Sequence, residues 1–258
     1  GAAMRLLSAP DLQRWYTRHL VGLTRGLARA MWPSVRALVK LPVGEGVIQA
    51  RIQELFDQVS ELRALLTDPQ QTSVRLVLNP DHMSLRETQR AYTYMSLFGF
   101  SVDAILVNRI LPEAVQDPFF DGWKASQAAY RAEIQTTFAP LPVFEVPLLR
   151  REVVGLAALE ALGGELFPPH IVPDPVAALS VEPPLRFYVE GERHILDLRV
   201  TGVAAGAVEL EKRGDELSVR LGRLRRTLVL PQYLAGLKPA WAQVQAGHLK
   251  VAFEEPPR

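Results

Sequence analysis

The chain has no cysteine, and that absence closes several routes at once. No disulfide can form, and no thiolate site for zinc or a metalloid can be built. Long apolar runs are missing too, since nothing approaches the ~20 consecutive apolar residues that a membrane-spanning helix needs. Neither sign of charge is in surplus: 29 basic residues stand against 28 acidic ones, for a net charge of +1. That balance makes no general case for a nucleic-acid or membrane partner, so any electrostatic signal has to be local. The first residues also lack a charged stretch followed by an apolar block and a small-residue cleavage site, so secretion is not indicated. Together these absences lead to the expectation of a soluble cytoplasmic protein with no nucleic-acid partner.

What is present is the material for a core. With 48% hydrophobic residues over 258 positions, the chain can build one large or two ordinary domains. Proline marks a division at "LFPPHIVPDPVAALSVEPPLRF", where six prolines fall between positions 168 and 184 without a helical period. That stretch reads as an extended linker, which divides the chain into residues 1–167, a linker at 168–184 and a second domain at 185–258.

Before the linker, "VRLVLN" at 74–79, "VDAILVN" at 102–108 and "VFEVPL" at 143–148 are short apolar runs separated by helical stretches, the pattern of a parallel sheet. Ser84 and Glu87 have the spacing of a capping box for the helix between the first two runs, and Gly99 stands where its C-terminus wants a left-handed residue. After the linker the pattern turns to alternation in "RFYVEG", "HILDLRV", "AVELEKRGDELSVRL", "RRTLVLP" and "HLKVAFEE". Gly214-Asp215 supplies a hairpin turn, and an antiparallel sandwich of roughly 75 residues fits.

The only local charge signal lies near the start. Leu12, Tyr16, Leu20, Leu23, Leu27 and Met31 fall on one side of a 3.6-residue helix, and Arg14, Arg18, Arg25 and Arg29 fall on the other. A second helix, 48–66, repeats apolar residues at Ile48, Ile52, Leu55, Val59, Leu62 and Leu66, a seam suited to another helix. Pro33 ends the first helix, and the two predict a helical hairpin subdomain over about 8–68. Two readings of the first face stay open: a client-binding surface centred on Leu20, Leu23 and Leu27, or an ordinary core face. The histidines His19, His82, His170, His194 and His248 are scattered, and each reads as a surface residue. No metal set, catalytic triad or carboxylate pair is apparent, so no catalytic residue is named.

The order "RLLSAPDLQRWY", "VRLVLNPDHMSLRETQRAYTYMSLFGFSVDAILVNRILPE" and "LPVFEVPLLRREVVGLAAL" resembles the arsenite-pump and tail-anchored-protein targeting ATPases, in particular the bacterial branch with a small heat-shock-like C-terminal domain. The end of the chain, "LRRTLVLPQYLAGLKPAWAQVQAGHLKVAFEE", is similar to the last strands of that α-crystallin type of domain. The resemblance implies a partial P-loop NTPase α/β fold of SIMIBI type, with a helical subdomain and a C-terminal antiparallel β-sandwich. In the family "DTAPTG-x-x-x-RLLS" runs from the second switch into the helices, and here "G-x-x-x-RLLS" stands at Gly1 to Ser8. No G-x-x-x-x-G-K-[ST] loop occurs in these residues. The expectation is therefore the C-terminal two-thirds of such an ATPase, inactive alone because the phosphate-handling groups are not in it.

Residue by residue, the resemblance implies that Asn108, ending the "VN-[RQ]" strand, hydrogen-bonds an adenine, and that Pro147, Leu148 and Leu149 pack on it. The expected cofactors are ATP and magnesium in the full-length parent, neither binding tightly to these residues alone. Eukaryotic relatives hold a dimer zinc through a C-x-x-C pair and the arsenite pumps bind metalloid through cysteines; here that region reads "PFFDGWKASQAAYRAEI", so neither metal chemistry carries over. The expected partner is a hydrophobic protein client or a membrane-protein segment, with a homodimer left open. The alternative function is a non-enzymatic, chaperone-like binding protein that uses the helical subdomain and the sandwich.

Overall fold

The computed structural model describes residues 45–255. The family-like start at Gly1 to Ser8 and the amphipathic face of Leu20, Leu23 and Leu27 lie outside the described residues. The chain divides into two compact units, 1–66 and 67–258.

The described part of the first unit is most of helix α1, Glu45–Thr67, which begins three residues before the expected helix and ends one after it. Leu55 and Leu62, two residues of the apolar seam, are 59% and 47% exposed.

The second unit opens with an alternation of strand and helix: β1 Val74–Leu78, α2 His82–Leu97, β2 Val102–Ile110, α3 Asp121–Phe138, β3 Val143–Pro147 and α4 Leu156–Leu166. The three strands are parallel in the order β1-β2-β3, as the apolar runs predicted. Alternation along β2 points Ile105 and Val107 to one face, where Leu85 and Tyr92 of α2 and Ile134 and Phe138 of α3 complete a core with them. A register shift between Val74 and Arg75 skips Asp103 on β2, which is how both Val102 and Ile105 reach that core.

The start of α2 differs from the expected capping box. Asp81 is the N-cap, and its carboxylate accepts from the Ser84 N–H and the Ser84 hydroxyl, each at 2.8 Å. Ser84 is the third helical residue rather than the cap, so its backbone N–H is one of the orphan donors that a cap satisfies. Glu87 pairs instead with Arg90 one turn on. At the other end Gly99 has φ +85°, the expected left-handed residue.

Residues 168–184 form no regular structure, but they are fastened to the sheet. Arg75 donates to the carbonyls of Pro175 at 2.6 Å and Ala177 at 3.1 Å, and the Asp103 carboxylate accepts from the Leu179 N–H at 3.0 Å. Beyond them the sandwich pairs one antiparallel sheet in the order β4-β5-β10-β9 with a second in the order β6-β7-β8. These strands are β4 Leu185–Glu190, β5 Arg193–Arg199, β6 Val208–Arg213, β7 Glu216–Leu221, β8 Leu224–Val229, β9 Lys238–Gln245 and β10 His248–Glu254. Gly214, with φ +58°, makes the expected hairpin between β6 and β7.

The sandwich meets the α/β part at helix α2. The Thr93 hydroxyl donates to the Thr201 carbonyl and accepts from the Thr201 N–H, both at 2.9 Å. Arg226 reaches from β8 to donate to the Leu97 carbonyl, with its guanidinium 4.8 Å from the centre of the Phe98 ring.

Candidate functional site

Open parallel sheets bind ligands beyond the carboxyl ends of their strands, and β2 is the central strand here. Val107 pairs with Glu145, and the next pair is Ile110 with Pro147. Two residues of β2, Asn108 and Arg109, therefore oppose one of β3, Val146, in a bulge at the carboxyl end. Arg109 has φ +61°, a left-handed conformation that costs a branched or long side chain about 1–3 kcal/mol and needs surrounding contacts to hold it.

Those contacts are present. The Asn108 Oδ1 accepts from the Arg109 N–H at 2.9 Å. On the β3 side the Leu148 N–H donates to the Ile110 carbonyl at 2.7 Å. On the α3 side Gln127 donates through Nε2 to the Arg109 carbonyl at 3.2 Å and accepts through Oε1 from the Leu111 N–H at 2.9 Å.

The inward stripe of α3 changes character along the helix, as positions three and four apart share a face. Lys124 donates to the carbonyls of Glu113 and Val115, Gln127 holds the bulge, and Arg131 pairs with Glu145 of β3 at 2.7 Å. The Glu145 hydrogen bond raises the Arg131 guanidinium above its usual value. Ile134 and Phe138 then enter the core. The first half of α3 thus holds the carboxyl end of the sheet by polar contacts, and its second half packs the core.

The structure brings Asn108, Pro147, Leu148 and Leu149 to adjacent strand ends. Asn108, Pro147 and Leu149 are half-buried, and Leu148 is 44% exposed. Arg109, Arg150 and Arg151 are exposed in these segments, as are Glu113 and Glu152. Sequence reasoning passed over Arg109, Lys124 and Gln127. A lysine and a glutamine in a helix carry no pattern, and the left-handed turn sits on an arginine rather than a glycine. Among the described residues no group of three or more His, Asp or Glu side chains is placed to hold a metal ion. No described helix is long and apolar enough to cross a membrane.

The family model described as anion-transporting ATPase matches residues 1–168, and that of an HSP20-like domain found in ArsA matches residues 191–253. The chain belongs to the anion-transporting ATPase family. Its parallel sheet is accordingly of the P-loop NTPase type, followed by the heat-shock-like sandwich. A Chlorobaculum tepidum protein named as an arsenical pump-driving ATPase is 31% identical over 261 residues, covering 98% of this chain and 63% of its own length. An Aquifex aeolicus protein of similar name is 31% identical over 255 residues, 97% of this chain and 64% of its own. The ATPase GET3A of Arabidopsis thaliana is 26% identical over 173 residues, 66% of this chain and 49% of its own. The chain thus spans somewhat under two-thirds of the length of the relatives it matches along nearly its whole extent.

Proposed function

We propose that these residues supply the adenine side of the nucleotide site of an ATPase that couples ATP binding and hydrolysis to the binding of a hydrophobic client. The observation that carries the reading is the Asn108 bulge at the carboxyl end of the central strand, with the Pro147–Leu149 segment at the end of the neighbouring strand. A carboxamide offers both a donor and an acceptor. With one Oδ1 lone pair engaged by the Arg109 N–H, Nδ2 can donate to an adenine ring nitrogen while the other lone pair accepts from the exocyclic amino group. Guanine places a carbonyl where adenine has that amino group, so the pairing favours adenine. Pro147, Leu148 and Leu149 offer apolar surface to the ring faces.

Phosphate positioning and magnesium chemistry supply most of the catalysis in phosphoryl transfer. The Gly-Lys-Ser/Thr element that performs the first does not occur in these residues. Adenine contacts alone give an affinity on the order of millimolar. A hydrophobic protein or a membrane-protein segment is the client class, in line with the family resemblance, and Leu20, Leu23 and Leu27 are the residues proposed to meet it. A homodimer is the assembly to test with that client.

Titration with AMP tests the nucleotide part. The 258-residue chain should bind AMP in the millimolar range, lose that binding in Asn108→Ala with its melting temperature nearly unchanged, and show no turnover of magnesium ATP. Equal AMP affinity in Asn108→Ala, or measurable ATP turnover by the purified chain, would overturn the reading.

A further inference from the structure

We infer that Gln127 is a positioning residue for the Asn108 site, and that its carboxamide decides how well the site distinguishes adenine from guanine. The inference rests on the adenine reading of Asn108 and adds a residue from a different element to it.

The geometry runs through the backbone in short steps. Gln127 makes its two hydrogen bonds to the carbonyl of Arg109 and to the N–H of Leu111, so it brackets Ile110 and fixes the peptide groups that follow the left-handed residue. On the opposite side of the same residue, the Ile110 carbonyl is taken by the Leu148 N–H. Hydrogen bonds from α3 on one side and β3 on the other hold the bulge in this conformation. That conformation directs the Arg109 N–H at the Asn108 Oδ1, and this bond orients the carboxamide. Remove Gln127 and the peptides after Arg109 lose their partner on the α3 side. The φ +61° turn at a non-glycine residue then relaxes toward the ordinary extended region, which rotates the Arg109 N–H away and frees the Asn108 amide to flip. A flipped carboxamide presents its donor where the acceptor stood, and the preference for adenine disappears while apolar packing on Leu148 and Leu149 remains.

A residue that merely stabilised the fold would weaken both nucleotides alike, so the discriminating quantity is the ratio of AMP to GMP affinity. Gln127→Met keeps the length and bulk of the side chain and removes both hydrogen bonds. In amide NMR titrations of the whole chain, Gln127→Met should weaken AMP by roughly three- to tenfold, the worth of one or two hydrogen bonds. GMP should change much less, bringing the ratio toward one. Gln127→Glu keeps the acceptor for the Leu111 N–H but sets a carboxylate oxygen against the Arg109 carbonyl, where two acceptors repel, so its ratio should also fall toward one. It also decides the matter if the methionine variant does not fold. An unchanged AMP-to-GMP ratio in a folded Gln127 variant, alongside lost AMP binding in Asn108→Ala, overturns the role of Gln127 and leaves the adenine reading standing. No loss of AMP binding in Asn108→Ala overturns both.

Discussion

Thr93 shows how much a single hydroxyl can carry when it is buried. It is 1% exposed, and its oxygen serves both the N–H and the carbonyl of Thr201. Thr93→Val keeps the shape but leaves two backbone groups unpaired, which should cost about 1–3 kcal/mol; urea denaturation measures it, and a loss within error of zero would mean water replaces the hydroxyl. Gly202 faces the same helix. A Cβ there would lie 3.0 Å from the Gln89 Oε1 and 3.3 Å from its Cβ, and φ is +66°, so Gly202→Ala should destabilise by crowding and by backbone strain together, about 1–3 kcal/mol. Asp68 gives a pH-dependent case. The Gln70 N–H, then the Gln71 side chain, hold its carboxyl below the usual carboxylate value. A depressed carboxylate contributes stability at neutral pH that is lost as pH falls through its folded value. Asp68→Asn should therefore lower the melting temperature at pH 7 and converge with wild type in strong acid. Parallel melting curves at all pH values would contradict that.

The Pro-rich segment is the element whose behaviour its sequence hides. Prolines and the missing period marked it as irregular, which it is, yet nothing in "VPDPVAALSVEPP" announces that Arg75 and Asp103 hold its backbone. Asp103 is fully buried, 3.4 Å from Arg75, and a charge so placed is costly to leave without a partner. Asp103→Ala removes that charge but leaves Arg75 without its carboxylate and the Leu179 N–H without its acceptor; it should destabilise by about 1–3 kcal/mol and speed proteolytic cleavage within residues 168–184, and cleavage at the wild-type rate would show that the fastening does not restrain the segment. The regular elements were more legible. β1, β2 and β3 stood out because strands buried on a parallel sheet are continuous apolar runs. β9 did not, because nearly all its residues are exposed and Pro239 interrupts it, leaving no alternation to read. The site divides the same way. Asn108 and Pro147–Leu149 are proposed through the family resemblance, at the ends of apolar runs, whereas Gln127 faces a bulge whose left-handed residue is an arginine and is read from the register of β2 on β3.

At the scale of the molecule, residues 185–255 own a core that includes Leu196, Leu198, Leu217, Val219, Leu249 and Phe253, while Thr201 and Arg226 reach out of it to α2. Expressed alone, this domain should melt cooperatively at a lower temperature than the same residues within the chain, because it keeps its apolar core and loses those contacts. A melt without a cooperative transition would place the boundary elsewhere. For the ATPase part, the central claim is that the carboxyl end of β2 and β3 receives an adenine although these residues carry no phosphate loop. The most direct test is a set of intermolecular nuclear Overhauser contacts between AMP and the 258-residue chain with labelled leucine methyls and asparagine amides. The account predicts contacts from adenine H2 or H8 to the Leu148 and Leu149 methyls, with shifts of the Asn108 side-chain amide. Shifts confined to other surfaces, or none at AMP concentrations in the tens of millimolar, would contradict it.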